Sequence, residues 1–232
     1  MTGIEIKGNR NVGYNIKEYY KTLAPAEIER VSYLADDLKL IANKRQIKTF
    51  LDMGAGRGAM SAYVILQFPE SFGTLVDIVP QNTLLKFLPN IEKRYEIFKW
   101  PCKEHLVGRQ FDLVLSIDVL EHIPNYKKTL LDLFQYVKEN AYLYIQTPSN
   151  YPSPNFSTIG IWKNRISSLF GKNNPSTHAH HGLSCKSIYD ACKNDFDAIV
   201  AAEDYVVNDK VLCNFKPRTH LLLKKKIKNE NN

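Results

Sequence analysis

Two rhythms of apolar residues run along this chain. Short, almost uncharged runs predict strands at Thr49–Met53, Gly73–Ile78, Tyr95–Lys99, Phe111–Ile117, Ala141–Thr147, Ala198–Val207 and Thr219–Ile227. Runs such as FDLVLSI and AYLYIQT suit strands covered on both faces. Helical patterns occupy Pro25–Lys44, Ala59–Gln67, Gln81–Phe87, Asn125–Glu139 and Cys185–Asn194. In the first, Ile28, Val31, Leu34, Leu38 and Ile41 recur at steps of three and four, which makes one apolar face. Pro25 opens it, at a position where the missing N–H costs nothing. Strands and helices alternate, as in an α/β protein with a mainly parallel sheet. No period of 20–50 residues repeats, so a solenoid is not expected.

Two stretches break the alternation. Residues 1–24 are polar with several tyrosines and read as an N-terminal appendage that packs on or closes over the domain. Residues 149–183 hold Pro152, Pro154, Pro175, Gly160, Gly171 and many Ser and Asn around one apolar segment, IGIWKNRISSLF. A connection of that length without a strand reads as a substrate-side insertion.

Composition narrows the class. The 232 residues suit a single domain, 1–232, and a 44% hydrophobic share with 24% charged residues argues against disorder. The longest uncharged stretch, Asn140 to Trp162, is broken by three prolines, so no membrane span is expected. Cys102, Cys185, Cys192 and Cys213 form no CxxC pair, which points to reduced thiols and a cytoplasmic location. The net charge of +7, from 31 Lys+Arg against 24 Asp+Glu, admits an anionic substrate, nucleic acid or a solvated surface.

The first chemical signal is FLDMGAGRGAMSAYV, which sets Asp52-x-Gly54-x-Gly56-x-Gly58 at a strand-to-helix junction. Glycines serve where the backbone turns sharply and a ligand comes close to it. Gly54 to Ala59 also fits the dinucleotide fingerprint. Asp52 separates the ligands, because a carboxylate there repels pyrophosphate and suits a cationic amino-acid moiety. Asp77, about 20 residues beyond the loop at the end of the next strand, is placed to accept ribose hydroxyls. Together they describe a pocket for an adenosine with a positively charged amino-acid tail.

From Phe50 to Thr147 the chain resembles the class I S-adenosylmethionine-dependent methyltransferases, with their D-x-G-x-G-x-G loop and acid-ended second strand. The resemblance implies a Rossmann-like α/β sheet of seven strands, order 3-2-1-4-5-7-6, with strand seven antiparallel and helices on both faces. It also implies that Gly54, Gly56 and Gly58 border the methionine moiety and Asp77 the ribose, with Asp52 and Asp118 contributing. Many members carry an acid after the third strand that contacts adenine. This chain has Phe98-Lys99-Trp100-Pro101 there.

The second signal is Asp118-x-x-Glu121-His122 at the carboxyl end of the fourth strand, where open α/β sheets place ligands. Three readings compete. His122 is a general base oriented by a carboxylate, or Asp118, Glu121 and His122 hold a divalent ion, or His122 caps the following helix. His178, His180 and His181 cluster in the insertion, as a further ligand source or an exposed loop. With TPSN after the fifth strand, the pattern resembles metal-dependent 2′-O-methyltransferases of small-RNA 3′ ends and, in part, O-methyltransferases of ubiquinone biosynthesis. That resemblance places Asp118, Glu121, His122 and His180 on an ion such as Mg²⁺ or Mn²⁺. Asp118 stands where those families have Glu.

Tyr14, Tyr19, Tyr20, Asn150 and Tyr151 are further candidates for lining an acceptor pocket. Lys224, Lys225, Lys226 and Lys228 read as a solvated edge or a nucleic-acid contact. The expectation is an S-adenosylmethionine-dependent O-methyltransferase with Glu121 and His122 catalytic. Its acceptor is a hydroxyl of a small polar, anionic-compatible compound such as a sugar, sugar phosphate or surface-polysaccharide precursor. The alternatives are a 2′-O-methyltransferase of a terminal RNA ribose, a nicotinamide-dependent oxidoreductase, and a cofactor-binding module without turnover.

Overall fold

The structure is a computed structural model and describes residues 16–80, 87, 94–148, 183–203 and 218–227. Helices are α1 (Ile16–Lys21), α2 (Pro25–Ala42), α3 (Ala59–Gln67), α4 (Lys103–Leu106), α5 (Tyr126–Gln135) and α6 (Cys185–Cys192). Strands are β1 (Thr49–Met53), β2 (Phe72–Asp77), β3 (Tyr95–Lys99), β4 (Phe111–Ile117), β5 (Val137–Pro148), β6 (Phe196–Glu203) and β7 (Arg218–Lys225). They form a seven-stranded sheet of order β3-β2-β1-β4-β5-β7-β6. β1 and β2, and β2 and β3, pair in parallel, whereas β7 is antiparallel to β5 and β6. Cα packing divides the chain into two compact units, residues 1–115 and 116–232.

In the first unit, α2 starts at Pro25 and its Glu27 carboxylate returns to the Ala24 N–H at 2.7 Å. That bond satisfies one of the backbone donors left over at a helix N-terminus. The α2 face buries Val31, Leu34, Ala35, Leu38 and Ile41, while Ile28, expected on that face, is 39% exposed. Phe50, Leu51, Tyr63, Val64 and Ile65 complete the core. Gly73 lies in register with Phe50, and a Cβ there would sit 2.5 Å from the Phe50 ring, which explains a glycine inside β2.

The second unit buries Leu143, Tyr144 and Ile145 of β5, Leu221, Leu222 and Leu223 of β7, and Leu130, Leu133, Ile188 and Phe196. The helix expected over Asn125–Glu139 is shorter, because Val137–Glu139 already belong to β5. Lys225 terminates it by donating to the carbonyls of Phe134 (2.8 Å) and Val137 (2.7 Å). Lys226 donates to the Lys193 carbonyl at 2.8 Å and lies 3.6 Å from Asp197. Both lysines, read in sequence as a solvated edge, thus hold other elements in place. Among the described residues no helix is long and apolar enough to cross a membrane. The helix expected at Gln81–Phe87 and the end of the strand expected to reach Val207 lie outside the described residues, Phe87 excepted.

Candidate functional site

In the first unit the glycine loop joins β1 to α3. Gly54, Gly56 and Gly58 have φ of 84°, 52° and 83°, a left-handed backbone that glycine adopts without a Cβ clash. The Gly54 and Ala55 N–H groups both donate to the Val76 carbonyl, at 2.7 and 3.1 Å. Asp77, at the end of β2, accepts from the Gly56 N–H (2.8 Å) with one oxygen and from the Val79 N–H (2.8 Å) with the other. Asp52 lies behind the loop, 2% exposed, where the Ser61 hydroxyl donates to it at 2.5 Å. Burial pushes its carboxyl up to about 6; the Ser61 bond opposes the rise and the nearby Asp77 charge adds to it. Asp52 is therefore a strut of the strand–helix turn. Ser61 belongs to no motif of its own, although its step from Ala59 puts it in the first turn of α3.

Where relatives of the resembled family carry an acid after the third strand, the Trp100 N–H donates to the Asp77 carbonyl at 2.9 Å. Phe98 stacks on His105 with ring centroids 4.5 Å apart. Ile78 and Val79, directly after Asp77, are 68% and 63% exposed.

In the second unit Asp118 follows β4 with φ of 53° and is ion-paired with the buried Arg218 at the start of β7. Its N–H donates to the Gln146 carbonyl at 2.9 Å. Glu121 is buried and accepts from the Thr147 hydroxyl at 3.1 Å. Burial, followed by the neighbouring Asp118 charge, raises its carboxyl to about 7 against the weaker pull of its hydrogen bonds and of Arg218. His122 closes a 3-10 turn over Leu120–His122; its Nε2 is 3.8 Å from Glu121 Oε1, and its side chain is 38% exposed. The capping role that one reading gave to His122 falls to Asn125, whose side chain accepts from the Lys128 N–H. Gln146, fully buried in β5 and in register with His220 of β7, has both amide atoms enclosed without a hydrogen-bond partner.

The described residues do not support the expected ion site. Among the described residues no group of three or more His, Cys, Asp or Glu side chains could hold a metal ion. Asp118 is committed to a guanidinium, and Glu121 is buried on Thr147. His178, His180 and His181 lie outside the described residues, as do Tyr14, Asn150, Tyr151 and Lys228. Tyr19 is a packing residue: its hydroxyl donates to the Ala59 carbonyl at 2.7 Å, and burial pushes its pKa up, which keeps that donor protonated. Arg218 and Gln146 escaped sequence reasoning, since neither belongs to a local pattern and the partner of Asp118 lies 100 positions away.

Residues 25–189 match the family described as "Methyltransferase domain". The chain belongs to this family of methyltransferase domains. It is 26% identical over 121 residues to the ubiquinone biosynthesis O-methyltransferase of Rickettsia typhi, covering 51% of this chain and 48% of that protein. To the (S)-coclaurine N-methyltransferase of Thalictrum flavum subsp. glaucum it is 24% identical over 156 residues, covering 63% of this chain and 39% of that protein. The chain thus spans half or less of the length of these relatives. Among solved structures, magnesium protoporphyrin IX methyltransferase from Synechocystis PCC 6803 with bound SAH (S-adenosylhomocysteine) superposes with a TM-score of 0.57 at 16% identity, covering 94% of this chain and 90% of that chain. That likeness is one of fold.

The glycine loop suits the family's cofactor. A Cβ on Gly56 would meet nothing within 4 Å, so the space beside the left-handed backbone is open. A ligand can approach the peptide there without displacing a side chain.

Proposed function

We propose that this protein transfers a methyl group to a hydroxyl of a small polar acceptor, with His122 as general base. The observation that carries the reading is the exposed His122 imidazole beside the buried Glu121, with the helix cap supplied by Asn125. Bound S-adenosylmethionine supplies an electrophilic methyl on a cationic sulfur. Gly54, Gly56 and Gly58 border its amino-acid part, and Asp77 accepts from its ribose with lone pairs not used by the Gly56 and Val79 N–H groups. His122 would take the acceptor O–H proton as that oxygen takes the methyl group and the electron pair of the broken S–C bond returns to sulfur, leaving S-adenosylhomocysteine. Glu121, held by Thr147, stabilises the imidazolium so formed. The carboxylates Asp52 and Asp77 beside the glycine loop suit the positive charge of the donor, and a pyrophosphate-bearing dinucleotide does not suit them.

A sugar or sugar phosphate is the acceptor class we favour, on the excess of basic residues and the polar composition of residues 149–183. A terminal RNA ribose is the second reading. Against it, Lys225 and Lys226, which would have offered phosphate contacts, are engaged with backbone carbonyls. The spacing of Cys102, Cys185, Cys192 and Cys213, with no CxxC pair, supports a cytoplasmic location.

The test is methyl transfer from S-adenosylmethionine to matched panels of hydroxyl and amine acceptors, read as S-adenosylhomocysteine release. The hydroxyl panel should contain the substrate, and His122→Ala should lower turnover about 100-fold while S-adenosylhomocysteine affinity holds. Transfer confined to amines, or an equal loss of turnover and affinity, contradicts the reading.

A further inference from the structure

The glycine loop is gripped from outside as well as from β2. On one side, Val76 and Asp77 hold the N–H groups of Gly54, Ala55 and Gly56. The two residues flanking Gly58 are held by the N-terminal helices. Arg57 lies 3.3 Å from the Glu27 carboxylate in the first turn of α2, with its guanidinium over the Phe87 ring at 5.3 Å from the centroid. Glu27 is 8% exposed and is fixed in turn by the Ala24 N–H. Ala59 receives the hydroxyl of Tyr19 from α1 at 2.7 Å, and the Tyr19 ring, 1% exposed, meets Phe87 edge-on at 6.3 Å.

From this juxtaposition we infer that Arg57, Glu27 and Tyr19 are positioning residues for the cofactor loop, and that the N-terminal helices set cofactor affinity without touching the cofactor. A loop with three left-handed glycines loses more conformational freedom on ordering than any other sequence would. Fixing residues 57 and 59 before a ligand arrives removes part of that cost from the binding step, which is the general effect of preorganisation. Coupling of this kind is reciprocal, so cofactor binding must in turn tighten the docking of α1. The inference rests on the glycine loop being the cofactor site.

The experiment is calorimetric titration of S-adenosylhomocysteine into the full chain, with the Tm of each ligand-free variant measured alongside. Arg57→Ala should weaken binding about tenfold, since it removes both an ion pair and a stacked cation. Glu27→Ala should act through the same contact, so the double variant should bind no more weakly than the weaker single. Tyr19→Phe, which keeps the ring and loses only the bond to Ala59, should weaken binding roughly threefold. Arg57→Lys keeps the charge but not the fork and should fall between wild type and Arg57→Ala; it and Tyr19→Phe serve as the test if Arg57→Ala does not fold. Saturating ligand should also slow tryptic cleavage at Lys17 and Lys21 in wild type, and less so in Tyr19→Phe. Affinities within twofold of wild type in Arg57→Lys and Tyr19→Phe, whatever their Tm, overturn the inference. No binding to the wild-type chain would instead overturn the cofactor assignment.

Discussion

The glycine loop of the first unit and the strands β4 and β5 of the second handle buried polar groups differently. Around the glycine loop of the first unit, Asp52 meets Ser61, and Asp77 meets the Gly56 and Val79 N–H groups. Further back, Asp112 accepts from the N–H groups of Lys48 and Thr49 and pairs with Arg45. In the second unit, Gln146 is fully buried with neither amide atom bonded, and the Ser116 hydroxyl on β4 is likewise enclosed without a partner. An unmet buried polar group costs about 1–3 kcal/mol, and such groups persist where a ligand or ordered water supplies the partner. The glycine loop is thus satisfied by its own neighbours, whereas Gln146 and Ser116 are not matched among the described residues.

The sharpest way to break the comparison is at the buried Asp118–Arg218 pair of the second unit. Arg218→Ala leaves the Asp118 carboxylate without its guanidinium and should cost about 3 kcal/mol, lowering Tm by roughly 6–12 °C. The combined change Asp118→Asn with Arg218→Met should recover most of that loss. A loss under about 1 kcal/mol in thermal unfolding of Arg218→Ala would show the pair to be ornamental. Gln146→Leu should act in the opposite direction. Removing the two orphan amide atoms at similar volume should raise Tm by about 2–4 °C, and a fall in Tm would mean that the amide is satisfied in solution.

A further effect is on pH dependence. Burial raises Glu121 from its ordinary 4.5 to about 7 and Asp52 from 3.8 to about 6. Between the ordinary and raised values the folded chain holds protons that the unfolded chain has lost. Stability from these two groups is therefore full at low pH and falls as pH rises through that window. Denaturant midpoints at about pH 5 and about pH 8 should differ less in Glu121→Gln than in wild type. Parallel slopes would remove Glu121 as a titrating group.

The same contrast explains what was legible in the sequence. The strand–loop–helix around Asp52 to Ala59 and the acid at Asp77 form local patterns, and these residues make their principal bonds within about 20 positions or to the next strand. Sheet order followed from the family resemblance, and the structure shows that order, including the antiparallel β7. In the second unit the pattern gave Asp118, Glu121 and His122, but not the partners that decide their chemistry. An acid-x-x-Glu-His spacing reads equally as a metal set or as a base with its support. The Asp118–Arg218 pair, made across 100 positions, has no mark in that local spacing. The helix read through Glu139 overran for a similar reason, because its stop is a lysine from β7.

The most direct measurement is titration of S-adenosylhomocysteine and, separately, NAD into the wild-type chain and Asp77→Ala. Wild type should bind S-adenosylhomocysteine and not NAD, and Asp77→Ala should weaken binding about tenfold or more, through loss of the ribose contact and of the Gly56 N–H acceptor. Binding of NAD alone, or equal S-adenosylhomocysteine affinity in the two proteins, would contradict this reading.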